Sequence, residues 1–354
     1  MAFPCKKIRS AYLFRFFIPL LIFWCFDSPA SAGPQGSADK IKVIIDTDIA
    51  EDIDDILVTA FALNSPEFEV LAITTVDGGV WARTRVARKA ARLFGKPQVQ
   101  VAAGYVRNIP LDDIEYKGFE GGVRYGEVAP DEEGLPPASL LKADELIARL
   151  AMKYPGEVTV LTIGSMANIG QFLVRFPEAA KKLKRIVTNG GYLSPDGKEQ
   201  SIGWNLRYDP IAAMITARSE VPWVLLSEGA SRYASPRKED IERIRNKKIP
   251  STELLVQAIH WWRTNKTDAT SLPHVSDLNV FAYLLGLLPT ERGNVFIEIG
   301  PQGTLPGFRI DPDPEGRIEF GRVIPKEKAE SLRELLIERL VTPPELDERM
   351  SLDR

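Results

Sequence analysis

Ile41-Lys42-Val43-Ile44-Ile45-Asp46-Thr47-Asp48-Ile49-Ala50-Glu51-Asp52-Ile53-Asp54-Asp55 is the stretch on which the fold turns. It opens on a short apolar run, broken only by Lys42, and the run ends in acids. A run of that length suits a strand covered on both faces. Ile56 to Leu63 then continues as a helix. The alternation recurs downstream. Strands are expected at Val70–Val76, Val99–Ala103, Val158–Ile163, Arg185–Thr188, Trp223–Leu226 and Val295–Ile299. Between them fall helical segments, first from after Val76 through about Phe94, then at Ala143–Met152, Gly164–Phe172, Pro210–Ala217 and Asp277–Leu287, with Lys328–Leu340 closing the chain. In the first of these Val86, Ala90, Leu93 and Phe94 make one apolar stripe. Strands and helices alternating at this spacing predict one α/β domain with a mostly parallel central sheet and helices on both faces. Ligands of such sheets sit beyond the carboxyl ends of the strands, which is where the acids lie.

Asp46, Asp48, Glu51, Asp52, Asp54 and Asp55 put six carboxylates into ten residues. One or two would suit a helix N-terminus, whose dipole amounts to about half a unit charge. Six repel one another by several kcal/mol at an effective dielectric of about 20, and a bound cation removes that repulsion. An EF-hand does not fit, because a strand precedes the run and Ile53 stands where the loop glycine belongs, counting from Asp48. A haloacid-dehalogenase phosphatase would place Thr or Val where Ala50 stands.

Composition narrows the metal. Cys5 and Cys25 are the only cysteines and His260 and His274 the only histidines. The cysteines lie in residues 1–32, where a basic head (Lys6, Lys7, Arg9, Arg15), an apolar core (Phe16–Phe26) and Ala30-Ser31-Ala32 read as a signal peptide. Without that leader no thiol remains, so disulfides and cysteine-ligated metals drop out, and a hard cation held by oxygen is left. The leader's four basic residues against Asp27 account for three positive charges, so the net charge of −3 becomes −6 once it is gone. A mildly acidic, unpatterned surface argues against nucleic-acid binding, and nothing after the leader calls for a membrane. The expected organisation is a leader at 1–32, a linker at 33–40, a catalytic domain at 41–342 and a tail at 343–354, in an exported protein of periplasm or medium. The Gly- and Pro-containing stretch from Gly104 to Leu140 reads as one long loop.

Asp46-Thr47-Asp48 followed by Asp54-Asp55 resembles the N-terminal signature of the inosine–uridine nucleoside hydrolase family, with two more residues before the Asp pair than its commonest form. The likeness continues in family order. Thr162 to Asn168 is similar to the T-G-x-L-T-N turn, Gly190-Gly191 to the M-G-G segment, and Trp204-Asn205 with Asp209 to Ala213 to the sugar-binding Asn and its following helix. Ser276-Asp277 leading into Val280 to Leu284 resembles the H-D-P-x-A-V-A-Y-L helix, and Gly307 to Asp311 the C-terminal hairpin. The resemblance implies a Rossmann-like nucleoside-hydrolase fold, a Ca2+ ion, and a small nucleoside or related glycoside as substrate, often in a homodimer or homotetramer. It implies Asp48, Asp55, Asp277 and the carbonyl of Ile163 as metal ligands. Asp48 would also take a proton from the attacking water, and Asp54, Asn205 and the neighbouring Trp204 would hold the substrate. Asp46 reads as support for the ligands, and Asn168 as a turn or cap residue. Alone, Asp277 would read equally well as a helix cap.

The departures bear on specificity. Ser276 stands where the family's acid histidine would be, and His274 two residues earlier is the candidate to replace it. His260, beside Trp261 and Trp262, reads as helix packing. Gly203 stands in place of a ribose-binding glutamate, and Gly79 in place of an asparagine, with Asp77 nearby as its substitute. Two functions stay open: calcium-dependent hydrolysis of an N-glycosidic bond, of a ribonucleoside or another glycoside, and calcium-bound recognition of a nucleoside or sugar without turnover. The retained Asp48 favours catalysis, since a binding protein needs no carboxylate set against a metal-bound water.

Overall fold

Side chains on a strand alternate between faces, and the first strand, β1 (Ile41–Thr47), shows it. Val43 and Ile45 enter one apolar cluster and Ile44 enters the other. The computed structural model describes residues 39–50, 52–105, 134–265, 267–300 and 305–345; the leader, most of the long loop and the last residues of the tail lie outside them.

The strands that follow are β2 (Phe68–Thr75), β3 (Gln100–Ala103), β4 (Thr159–Thr162), β5 (Arg185–Asn189), a small ribbon of β6 (Tyr192–Leu193) and β7 (Gln200–Ser201), then β8 (Trp223–Leu226), β9 (Glu291–Glu298), β10 (Gly307–Pro312) and β11 (Ile318–Gly321). Among the described residues nine of them form one sheet in the order β10-β9-β11-β8-β5-β4-β1-β2-β3. Pairing is parallel from β3 across to β11. Only β9 runs against its neighbours, β11 and β10.

Helices cover both faces. On one face pack α1 (Ile53–Leu63) and α2 (Val80–Leu93); on the other, α3 (Ala143–Lys153), α4 (Ala167–Arg175) and the short α5 (Pro177–Ala180). Next come α6 (Gly203–Tyr208) and α7 (Pro210–Arg218), which join the second face through Leu206, Ala212 and Ala213. The last four, α8 (Lys238–Lys247), α9 (Pro250–Asn265), α10 (Leu278–Leu284) and α11 (Lys326–Val341), return to the first. The mostly parallel α/β architecture expected from the sequence is thus the one found. No helix among the described residues is long and apolar enough to cross a membrane.

The structure differs from the sequence reading in detail. Helix α1 begins at Ile53 because Asp52 caps it, its carboxylate accepting the Ile53 N–H at 2.7 Å, so the helix starts inside the acidic run. Helix α8 occupies a stretch with no expected element, and α9 is the helix implied by the packing reading of His260. Trp262 of α9 is buried in the core, whereas His260 is exposed and lines a separate surface cleft. The packing expected of His260 thus holds for Trp262 and not for His260 itself, which falls on the outer face of the helix.

Candidate active site

Five adjacent parallel strands, β2, β1, β4, β5 and β8, end on the same edge of the sheet, and the polar residues that follow them converge there. A cleft of about 330 Å³ is lined by Asp48, Asp52, Asp54, Asp55, Ile163, Asn189, Trp204, Asn205, Glu228, His274, Ser276 and Asp277. Eight residues singled out from sequence, Asp48, Asp54, Asp55, Ile163, Trp204, Asn205, His274 and Asp277, therefore share one pocket. Asp77 does not line it; it is buried behind Asp48 in the left-handed region at φ 60°.

Carboxylate oxygens of Asp54, Asp55 and Asp277 all lie within 4.8 Å of one another, and all three residues are buried. At that separation each ionised pair repels by about 3.5 kcal/mol at an effective dielectric of 20. None of the three forms an ion pair with a lysine or arginine among the described residues. Their acidities respond accordingly. Burial first, then the neighbouring carboxylates, push Asp55 and Asp277 well above the ordinary aspartate range, and burial likewise raises Asp54. A buried, all-oxygen trio with no lysine or arginine ion-paired to it among the described residues fits a hard divalent cation. Asp48 lines the same cleft outside this tight trio, so Asp54 stands closer to the metal set than the resemblance implies.

Asp55 and Asp277 are held from behind. Thr47 donates its hydroxyl to Asp55 Oδ1 and accepts the Ile49 N–H at 2.9 Å. Asn189, at the end of β5, donates to Asp277 Oδ1 at 2.6 Å and is itself oriented by Asn279, which donates to its Oδ1 at 2.7 Å. Asp277 sits at the N-cap of α10 yet its side chain makes no capping bond there. The carboxylate is spent on the cluster, which removes capping as its reason. Asp46 lies behind the cleft, its Oδ1 accepting from Thr74 and, at 2.7 Å, from Asn168, while Oδ2 has no partner among the described residues. Burial pushes Asp46 up to about 7. Asn168 is therefore a buried brace within α4 rather than a cap, since it also donates to the Thr75 carbonyl and accepts the Tyr105 N–H.

The loop after β1 doubles back at Ala50 with φ 79°, a conformation unusual for a residue with a Cβ. Arg83 of α2, fully buried, holds it by donating to the carbonyls of Asp48, Ile49 and Asp77. Its guanidinium also lowers Asp55 and Asp77, though burial and the carboxylates outweigh it. Glycine at 164 is required for close approach: a Cβ there would stand 2.7 Å from the Asp48 nitrogen. Asn205 donates to the carbonyls of Ile163 and Asn189, both at 3.0 Å.

At the mouth His274 Nε2 lies 3.7 Å from Asp52 Oδ2, with the imidazole 55% exposed. Ser276 donates to the Glu228 carbonyl at 2.8 Å. The side chain of Glu228, after β8, accepts the Trp204 N–H at 2.5 Å, and burial pushes it up to about 7. Sequence reasoning missed Glu228, Asn189's grip on Asp277 and Arg83. All three act across long sequence separations and leave no local pattern.

A profile of the inosine-uridine preferring nucleoside hydrolases matches residues 43–331, most of the chain. The chain belongs to that family. Nucleoside hydrolases act as hydrolases on N-glycosyl compounds, and curated relatives carry such names. The pyrimidine-specific ribonucleoside hydrolase RihA of Citrobacter koseri is 28% identical over 229 residues, 63% of this chain and 71% of that protein. Uridine nucleosidase 1 of Arabidopsis thaliana is 29% identical over 235 residues, 63% and 66% of the two chains. An uncharacterised Schizosaccharomyces pombe protein is 33% identical over 195 residues, 52% of this chain, and the match spans only 60% of that relative's length. Among solved structures, a purine-preferring ribonucleoside hydrolase from Gardnerella vaginalis superposes with a TM-score of 0.67 at 20% identity, covering 85% of this chain and 99% of that one. The inosine-uridine preferring nucleoside hydrolase of Bacillus anthracis gives 0.64 at 18%, over 84% and 99%. At such identities these two speak for the nucleoside hydrolase fold alone.

Proposed function

We propose that this nucleoside hydrolase cleaves the N-glycosidic bond of a ribonucleoside with the help of Ca2+, releasing the base and ribose. The observation that carries the reading is the convergence of Asp48, Asp54, Asp55 and Asp277 with the Ile163 carbonyl in one cleft. Asp48, Asp55, Asp277 and that carbonyl would hold the cation, with Asp54 near enough to share it. When bound, such an ion offsets the carboxylate repulsion and makes a water more acidic. Asp48 takes the proton that the attacking water gives up as its oxygen bonds to the anomeric carbon. Asp54 accepts hydrogen bonds from the sugar diol, and so does the Asn205 Oδ1, its two amide N–H groups being spent on the Ile163 and Asn189 carbonyls. Trp204, its ring 4.7 Å from Tyr208 and under the Arg207 guanidinium, offers an aromatic surface at the cleft. As the C–N bond breaks the leaving nitrogen needs a proton, and His274 at the mouth supplies it.

The test is release of base from a panel of purine and pyrimidine ribonucleosides and p-nitrophenyl riboside, with and without a calcium chelator, beside Asp48→Ala. Chelator-sensitive release that disappears in Asp48→Ala is the expected result. Nucleoside binding without release from any substrate would move the reading to a binding protein.

A further inference from the structure

Gly203 opens α6 at φ 68°, and a Cβ there would come within 2.5 Å of both the Glu228 Oε1 and the Gly191 nitrogen. The space where a side chain at 203 would begin is thus taken by a carboxylate reaching in from the end of β8. That carboxylate is fixed. Its Oε1 accepts the N–H groups of Trp204 at 2.5 Å and Asn205 at 3.4 Å. The Glu228 backbone is pinned on both sides, its N–H donating to the Gly191 carbonyl at 2.9 Å and its carbonyl accepting the Ser276 hydroxyl at 2.8 Å. Among the described residues Oε1 takes both of the side chain's hydrogen bonds, so Oε2 is left to a ligand, and Glu228 lines the cleft.

We infer that Glu228 is a substrate-binding residue whose free oxygen accepts a hydrogen bond from the 5′-hydroxyl of the sugar, and that Gly203 is a glycine to make room for it. This rests on the reading above, in which the 2′,3′-diol lies among the carboxylates of the metal set. A ribonucleoside then has one hydroxyl left, on the 5′ carbon. The acceptor that meets it belongs to a wall of the cleft distinct from the Asp cluster, built by the β8 end and α6. A carboxylate already held by two backbone donors is preorganised, so little is lost in ordering it when the hydroxyl arrives. The consequence is a preference for glycosides with a free hydroxymethyl group.

The experiment compares kcat/KM for uridine and inosine with that for their 5′-deoxy counterparts, in the wild type, Glu228→Ala and Glu228→Gln. At about pH 8.5, where Glu228 is ionised although burial pushes it up to about 7, a hydrogen bond to a charged acceptor predicts that the wild type prefers the hydroxylated substrate by about ten- to a hundredfold. Glu228→Ala should bring the two substrates to within about twofold, because the partner is gone. Glu228→Gln keeps an acceptor for the Trp204 N–H, so the start of α6 stays capped, and it offers a neutral partner. Its preference should fall to about two- to tenfold. A role confined to capping α6 would lower activity on both substrates alike and leave their ratio unchanged. An undiminished ratio in Glu228→Ala overturns the inference, and where that variant fails to fold, an undiminished ratio in Glu228→Gln does so. A wild type inactive on every nucleoside would instead remove the hydrolase reading on which the inference stands.

Discussion

Raising the pH of the metal-free protein should cost it stability, and the structure sets the size of the effect. Asp46 and Asp77 are both pushed from about 3.8 up to about 7, with burial the largest cause and the Asp48 charge adding to it. A carboxyl whose folded-state pKa lies above its unfolded value keeps its proton in the fold after the unfolded chain has released it. Its contribution is complete below pH 4 and disappears as the pH rises through the folded value. Between pH 5 and pH 7 each group should forfeit about 2 kcal/mol, so the pair removes about 4 kcal/mol. Asp54, Asp55 and Asp277 shift in the same direction and steepen the fall. Urea unfolding in a chelator at pH 5, 6 and 7 measures it. Asp77→Asn, which suits the left-handed backbone there, should recover about 2 kcal/mol of the loss. Calcium at a hundredfold over its pH 7 dissociation constant should add about 2.7 kcal/mol at pH 7, and the same concentration should add less at pH 5, where protons compete for the carboxylates. A metal-free midpoint that is flat or climbs from pH 5 to pH 7 would refute this account of the buried carboxylates.

Two further substitutions probe the site from either side. His274→Ala should lower kcat on ribonucleosides by about a hundredfold while leaving p-nitrophenyl riboside within about threefold, since that leaving group needs no proton; equal losses on both would remove His274 as the acid. Asn168→Ala should destabilise the protein by about 2–4 kcal/mol in urea melts, because Asp46, Thr75 and Tyr105 all lose a buried partner. Its kcat/KM should fall less than tenfold, and a loss as large as that of Asp48→Ala would place Asn168 in the reaction itself.

What could be read in the sequence was what depends on neighbours along the chain. Ile41 to Asp55 shows an apolar run and the acids that end it, so β1, α1 and the position of the site at a strand's carboxyl end follow from local pattern. The order of later motifs located Asn205 and Asp277 only because a whole family fixes it. Helix α8, Lys238–Lys247, is mostly charged and buries only Asp240, Ile241 and Ile244, too thin an apolar stripe to stand out. Glu228 is one acid after a short strand in the sequence. Its meaning comes from Gly203, across the fold, whose missing side chain leaves the room it fills.

The same distinction decides between capping and metal binding for the acidic run. Capping is local, and one residue satisfies it: Asp52 accepts the Ile53 N–H, and the α1 terminus asks for no more. It leaves Asp54 and Asp55 unexplained, and it cannot account for Asp277, which comes from more than two hundred positions away and caps nothing. Bringing that third carboxylate within 4.8 Å of the other two costs about 7 kcal/mol of added repulsion when all are ionised, at a dielectric of 20. The protein answers with Arg83, whose charge acts on Asp55, and with the hydrogen bonds from Thr47 and Asn189. These still leave Asp55 and Asp277 well above the ordinary aspartate range. An arrangement that gathers charge from distant parts of the chain and stops short of neutralising it fits a cation that arrives from solution.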